Sequence, residues 1–330
     1  MNTKNEDFHE VLVVGGGAAG LSGALTLARA RRSVLVVDGG EPRNAPASGV
    51  HGLLGLEGIP PTELLERGRA EVRSYGGEIT SGRVRSVEGD AENGFRAVLA
   101  DGRVLRARRI LVATGLTDRL PDVPGLAERW GRDVLHCPYC HGWEVRDLPI
   151  GVLATSPMST HQASMFGQWS PDVIYFADGG EVDPEQARRL NAQGIRVVPE
   201  PVTAIETVDD ALAGVRLATG ELVERRALAV AARMEARVDF LAPLGLKPVD
   251  HPSGMGDHLP ADATGRTEAA GVWAAGNATD PSAQVGASAA AGTLAAARIN
   301  ADLIEADVDR ALNGKSGLST RTGDEATPGR

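Results

Sequence analysis

Three glycines, Gly15, Gly17 and Gly20, stand between the apolar run VLVV at 11–14 and an alanine- and leucine-rich stretch, and they constrain the fold more than any other feature. Each glycine of this Gly-x-Gly-x-x-Gly spacing has its own job. Gly15 allows a tight strand-to-helix turn, Gly17 lets backbone amides approach a pyrophosphate, and Gly20 permits close helix packing. Ala18 and Ala19 complete the turn into the helix. The next apolar run, SVLVVD at 33–38, ends on Asp38, whose carboxylate can accept hydrogen bonds from a ribose diol. A glycine-rich turn that binds nothing would not need the strand, the helix and the acid together. The segment reads as the βαβ start of a dinucleotide-binding unit.

The rest of the chain follows that plan twice. A helix is expected from about Thr62, which can cap it, to Tyr75, with Gly76 and Gly77 as the stop. Residues 94–115 read as a hairpin turning at Asp101-Gly102 and continuing into the buried strand RILVATG, which ends on Ala113, Thr114 and Gly115. A second unit has strands at IGVLA (150–154), DVIYFAD (172–178) and ALAVAA (227–232), with a hairpin at Thr219-Gly220. At 330 residues the chain exceeds one ordinary core, which stops growing near ~250 residues. The fold class is therefore α/β, with two Rossmann-like units of three-layer ββα build. One domain is expected to be discontinuous, 1–118 with 238–306, and the other to span 119–237. GVWAAGN at 271–277 and a small-residue helix from Val285 to Ile304 would rejoin the first domain. Residues 307–330 are polar and rich in Gly, Ser, Thr and charge, so a disordered tail is expected there.

Charge and hydropathy exclude some partners. The formal net charge of −10 gives no general attraction to nucleic acid or anionic lipid. No run of ~18 apolar residues calls for a membrane, and the polar N-terminus suggests a soluble cytoplasmic protein. The chain has 41 glycines and 4% aromatics, which suits backbone turns around a nucleotide cofactor.

Only two cysteines occur, in the string His136-Cys137-Pro138-Tyr139-Cys140-His141. A disulfide closing so short a loop adds little stability, because the entropy removed from the unfolded chain grows with loop length. Zinc would lack a second cysteine pair, and two Cys with two His inside six residues would be strained, so no metal is expected. Thiol exchange fits better. The spacing can close a small disulfide, and neighbouring imidazoles can lower a thiol pKa or move its proton.

In order along the chain, the glycine motif, Ala113-Thr114-Gly115 and Gly276-Asn277 resemble the flavin-binding signatures of the thioredoxin reductase family, over almost the whole chain to about residue 305. That resemblance implies the low-molecular-weight thioredoxin reductase architecture, bound FAD and a homodimer. It also implies that Cys137 exchanges with substrate while Cys140 faces the flavin. Gln284, Val285 and the helix after them match the segment approaching the flavin ring, although packing alone could explain that helix. Two positions depart from the family. Asn277 replaces the usual Asp, keeping an acceptor but losing the charge, and His141 replaces the Asp that serves there as acid and base.

The string HCPYCHGWE at 136–144 is similar to dithiol oxidases that close disulfides in natural products such as gliotoxin and holomycin. In those enzymes a histidine beside the pair and an asparagine after the second strand belong to the site. Asn44 occupies the matching loop here, although an Asn in a Pro-flanked turn can simply satisfy backbone groups. His51, in the same loop, is a weaker candidate.

A thioredoxin reductase also needs a glycine-rich turn and basic residues for NADPH in its second unit. Here that turn reads Thr155-Ser156-Pro157-Met158-Ser159-Thr160, and the next strand leads to Asp178, Glu181 and Asp183, which would repel a 2′-phosphate. The expectation is an FAD-dependent oxidase of a small-molecule dithiol, with O2 as acceptor and hydrogen peroxide as product. The alternatives are a thioredoxin-disulfide reductase fed by NAD(P)H or another donor, and a flavin-binding redox sensor.

Overall fold

The computed structural model describes residues 8–319, with side chains through residue 313. β1 (Phe8–Val14) leads through the glycine turn into α1 (Ala18–Arg29) and then β2 (Val34–Asp38). Gly15 has φ +116°, and a Cβ there would lie 2.2 Å from the Ala113 carbonyl oxygen, so no other residue fits. α2 (Pro61–Ser74) follows a long loop. Its start is set by Pro60 and Pro61, not by the expected Thr62 cap, since proline is preorganised for the first helical position and has no N–H to satisfy. β3 (Glu78–Ser81) lies parallel to β2. β4 (Val84–Asp90), β5 (Gly94–Leu99) and β6 (Val104–Val112) form an antiparallel meander. Its second turn falls at Asp101-Gly102 as expected, with Asp101 accepting the Arg103 N–H at 3.0 Å. β6 then runs parallel to β1, giving the order β3-β2-β1-β6-β5-β4.

Alternation along the strands builds a core on each face. Val11 and Val13 meet Leu21 and Leu27 of α1, while Leu12 and Val14 join Val87, Phe95 and Leu99 of the meander side. Three layers result.

The chain leaves this unit along β7 (Leu116–Arg119) and builds the second unit from β8 (Val134–Leu135), α3 (Pro138–His141), β9 (Ile150–Leu153), α4 (Ser159–Phe166), β10 (Val173–Phe176), α5 (Pro184–Ala192) and β11 (Arg196–Val198). β12 (Val202–Val208), β13 (Ala211–Leu217) and β14 (Leu222–Glu224) form its own antiparallel meander before β15 (Ala227–Val230) returns to the parallel sheet, ordered β11-β10-β9-β15-β8. Val152 and Tyr175 pack with Phe166 and Leu190 on the helix side, and Leu153 and Phe176 with Leu212 and Val215 on the meander side. The repeat of the first plan is complete.

β16 (Arg233–Ala236) pairs antiparallel with β7, so the ribbon carries the chain out of the first unit and back. We propose to draw the domain boundaries there, where the expected limits at 118/119 and 237/238 fall. β17 (Val249–Asp250) and β18 (Asp257–His258) form a small hairpin, and β19 (Val272–Ala274) joins the first sheet beside β6.

α6 (Val285–Ser319) then crosses α1, closely enough that a Cβ on Gly292 would lie 2.0 Å from the Ala19 carbonyl oxygen. The helix corrects the expectation of a disordered tail from 307. Asp307 accepts a hydrogen bond from Arg32 at 2.9 Å and lies 2.7 Å from Arg108, and the helix runs on to Ser319. The rest of that expected tail lies outside the described residues. Among those described, no helix is long and apolar enough to cross a membrane.

Candidate active site

A cleft of about 1040 Å³ opens at the carboxyl ends of β1, β2 and β6 and reaches the short helix α3 of the second unit. Ligands in open α/β sheets bind at this edge. Gly15, Gly17, Ala18, Ala19, Asp38, Ala113, Thr114 and Gly115 line it from the first unit's β1–α1–β2 segment and the end of β6, and Asn277, Gln284 and Val285 from the segment that leads into α6. Asn44 and His51 contribute from the loop after β2, and His136, Cys137, Cys140 and His141 from around α3. Two expected residues, Gly20 and Gly276, stand behind the lining. A Cβ on Gly20 would lie 1.9 Å from the Gly15 oxygen, and Gly276, at φ +73°, would place one 2.9 Å from the Ala19 Cβ, so both keep the wall thin.

The residues present fit an FAD. The space beside Gly17 is open to 4 Å around a notional Cβ, at the N-terminus of α1 where a pyrophosphate is favoured. Thr114 Oγ1 is buried with no hydrogen-bond partner among the described residues, in the cleft wall where a ligand would complete it. Asp38 is held in place by accepting the Gly40 N–H at 2.8 Å and the Arg69 guanidinium at 2.8 and 3.0 Å. Arg69 was not anticipated, although a charged residue between Leu65 and Val72 on the buried face of α2 is the kind of irregularity that marks such a partner.

Asn277 explains its own departure from the family pattern. Its amide nitrogen faces the carbonyl oxygens of Ala283 (2.8 Å), Asp280 (3.0 Å) and Pro281 (3.3 Å), pinning the loop that leads to Gln284. A carboxylate has no hydrogen to give and would face three acceptors. Asn44 plays at least the backbone part, its carbonyl accepting the Ala47 N–H at 3.0 Å. Its neighbour Arg43 makes a two-pronged contact with Asp118 at 2.7 and 2.8 Å, tying this loop to β7. Nothing in the local sequence paired those two.

Cys137 and Cys140 are joined as a disulfide, with Cα atoms 5.2 Å apart. Cys137 is the N-cap of α3, its sulfur accepting the Cys140 N–H at 3.2 Å, and Pro138 takes the first helical position. A thiolate at Cys137 would therefore meet an N–H donor already in place. His136 sets its Nδ1 3.2 Å from the Val230 carbonyl oxygen. A carbonyl only accepts, so Nδ1 carries the hydrogen and Nε2 is left as the acceptor. Burial pushes the pKa of His136 below the usual imidazole value. His141 is also lowered, by burial first, with His51 and His136 adding to that and Glu144 opposing it. Burial thus favours the neutral, proton-accepting form of both imidazoles. His51 lies between two carboxylates that were not singled out in advance, Glu57 at 2.7 Å and Glu144 at 3.5 Å.

The second unit has no comparable cradle at the turn after β9. The hydroxyl of Ser159, fully buried, accepts the N–H of Thr155 at 3.2 Å and of Ser156 at 3.1 Å, and the Ser156 hydroxyl accepts the Met158 N–H at 3.2 Å. Pro157 has none to offer. Asp178 accepts the Val202 N–H at 2.7 Å, and Asp183 caps α5. The amides that would meet a pyrophosphate in a dinucleotide fold are bonded within the turn.

Comparison with known proteins agrees with this fold. The chain is 43% identical to HlmI in its crystal structure, with a TM-score of 0.90 over 96% of this chain and 99% of that one. An oxidoreductase from Agrobacterium tumefaciens is 35% identical, with a TM-score of 0.84 over 90% of this chain and 98% of that one. The thioredoxin reductase sirT of Leptosphaeria maculans is 30% identical over 91% of this chain and 95% of its own length. These likenesses bear out the resemblance to thioredoxin reductases. Residues 9–293 match the pyridine nucleotide-disulphide oxidoreductase model, and the chain belongs to that family.

Proposed function

We propose that this protein is an FAD-dependent dithiol oxidase that closes an intramolecular disulfide in a small natural-product dithiol, with molecular oxygen as acceptor and hydrogen peroxide as product. The observation that carries the reading is the pairing of a histidine-flanked disulfide at the flavin-type cleft with a second unit whose phosphate turn is filled by Ser159. The likeness to HlmI and to sirT supports it.

The first unit would hold FAD, with the Gly15–Gly20 turn at the pyrophosphate and Asp38 at the ribose. Thr114, Gly115, Asn277, Gln284 and Val285 would line the flavin end. The bound flavin supplies the two-electron acceptor that returns the cysteine pair to its disulfide and passes the electrons to oxygen.

The protein's own groups perform the exchange. Neutral His141 takes the proton of a substrate thiol, and the resulting thiolate attacks Cys137 Sγ. The Cys137–Cys140 bond breaks and Cys140 leaves as a thiolate. The second substrate thiol, deprotonated by His141 or by Nε2 of His136, attacks the mixed disulfide and frees the product. The departing Cys137 thiolate is stabilised by the Cys140 N–H. Tyr139 and Trp143, both exposed beside the pair, offer flat apolar surface to a small ring-bearing substrate. A homodimer belongs to the same reading.

The test is anaerobic mixing of the flavin-loaded protein first with NADPH and then with dithiothreitol, following flavin absorbance, before air is admitted. Bleaching by the dithiol alone, with one peroxide per dithiol on re-aeration, is the expected result. Rapid bleaching by NADPH would overturn the reading in favour of a thioredoxin-disulfide reductase.

A further inference from the structure

Glu144 closes the string at 136–144, and the exchange chemistry above leaves it unused. Its carboxylate stands 3.5 Å from Nε2 of His51, on the loop after β2. The other ring nitrogen of His51 meets Glu57 at 2.7 Å, and the second oxygen of Glu57 accepts the Gly52 N–H at 2.8 Å. The His51 side chain is 20% exposed, Glu144 36% and Glu57 63%, so the row ends in solvent. Glu144 follows His141 by three residues, in the turn that closes α3, and its charge favours the His141 imidazolium against the burial that disfavours it. At its outer end Glu57 is held below the usual carboxylate range, by His51 first and by the Gly52 N–H next, so it keeps a proton only in passing.

The exchange creates a need for such a row. One S–S bond breaks in the enzyme and one forms in the substrate. Two electrons move from the substrate sulfurs to Cys137 and Cys140, and two thiol protons are released. His141 can hold one of them, and where it serves both thiols it must be cleared before the second is deprotonated. His136 and His141 are only part-exposed, so water meets them less freely than it meets the exposed carboxylates of the row. An imidazole with a carboxylate on each nitrogen can take a proton at one and give one up at the other without turning over. The 3.5 Å contact is an ion-pair distance that a small side-chain rotation closes to a hydrogen bond, as apo catalytic contacts commonly require.

We propose that Glu144, His51 and Glu57 form a proton exit that clears His141, a positioning and relay role resting on the dithiol-oxidase reading above. The exit is assembled from both units, His141 and Glu144 from the second and His51 with Glu57 from the first.

The experiment is an anaerobic single turnover of oxidised, flavin-loaded enzyme with dithiothreitol, quenched and assayed for the dithiothreitol disulfide. Glu144→Gln is expected to slow it about ten-fold, short of the about 10²–10⁴ that a primary acid–base group supplies. Added imidazole should restore the rate to within about two-fold, and Glu144→Asp should fall between wild type and Glu144→Gln. His51→Gln should match Glu144→Gln, with the double variant no slower than either single, as two groups on one path require. Flavin content checks folding. A Glu144→Gln enzyme at the wild-type rate overturns the exit, and so does a slow one that imidazole does not rescue and whose loss adds to that of His51→Gln, which marks a structural tie. A wild-type enzyme that forms no dithiothreitol disulfide overturns the dithiol-oxidase reading itself, and the exit with it.

Discussion

Restoring the family's usual acid at position 277, by Asn277→Asp, should weaken flavin binding. The Asn277 amide has two hydrogens for three carbonyls at 2.8, 3.0 and 3.3 Å, so the substitution removes two hydrogen bonds, each worth about 1 kcal/mol net. The cost of about 2 kcal/mol falls on the loop that carries Gln284 into the cleft, and it corresponds to roughly 30-fold in FAD affinity. The sign of its pH dependence follows from the same contacts. Three carbonyl oxygens favour the protonated form of the introduced carboxyl, so its pKa in the ordered loop is raised above that in the unfolded chain. The protonated carboxyl can donate one bond, so the penalty is small at low pH and grows as pH rises through the folded value. Titrating apoprotein with FAD by flavin fluorescence at two pH values, one mildly acidic and one near 8, measures this. Affinity at pH 8 within about two-fold of wild type, or a penalty that shrinks as pH rises, would refute the assignment of the amide nitrogen to those carbonyls.

Three further outcomes are expected. His141→Gln should slow dithiothreitol oxidation about 10²–10⁴-fold with unchanged flavin content. In the wild type, burial keeps His141 neutral to lower pH, so the acid limb of the rate profile should lie below the ordinary imidazole value of 6.5; a limb above it would contradict the site. Ser159→Ala leaves two half-buried amides without an acceptor and should cost about 2 kcal/mol, read as a lowered unfolding temperature, without conferring bleaching by NADPH. Gly20→Ala forces a Cβ to within 1.9 Å of the Gly15 oxygen and should yield protein purified without flavin.

The parts of this molecule legible in the sequence are those fixed by local backbone geometry. The positive φ at Gly15, the Asp101-Gly102 turn and the two-residue spacing of the cysteines leave few alternatives, so the βαβ start, the β5–β6 hairpin and the disulfide follow from short strings. What was not legible depends on partners distant in sequence. Asp307 looked like the start of a loose tail until Arg32, 275 residues away, held it in a helix. Asp118 has no visible task until Arg43 closes on it, and Arg69 none until Asp38 does. Thr62 misled for a local reason, since Pro60 and Pro61 already set the helix start. Ser159 was readable only as the absence of glycine, because a hydroxyl turned back on its own turn leaves no pattern in composition.

That serine bears on how the chain can change. A phosphate turn that has merely lost its glycines could regain its ligand one residue at a time. Here the hydroxyl satisfies two amides, a proline removes a third donor, and Asp178 is committed to the Val202 N–H. Replacing Ser159 or Asp178 first leaves an N–H without its acceptor and lowers stability before any affinity is gained. A mutational route to a glycine-rich phosphate turn that begins at Ser159 therefore loses stability at its first step.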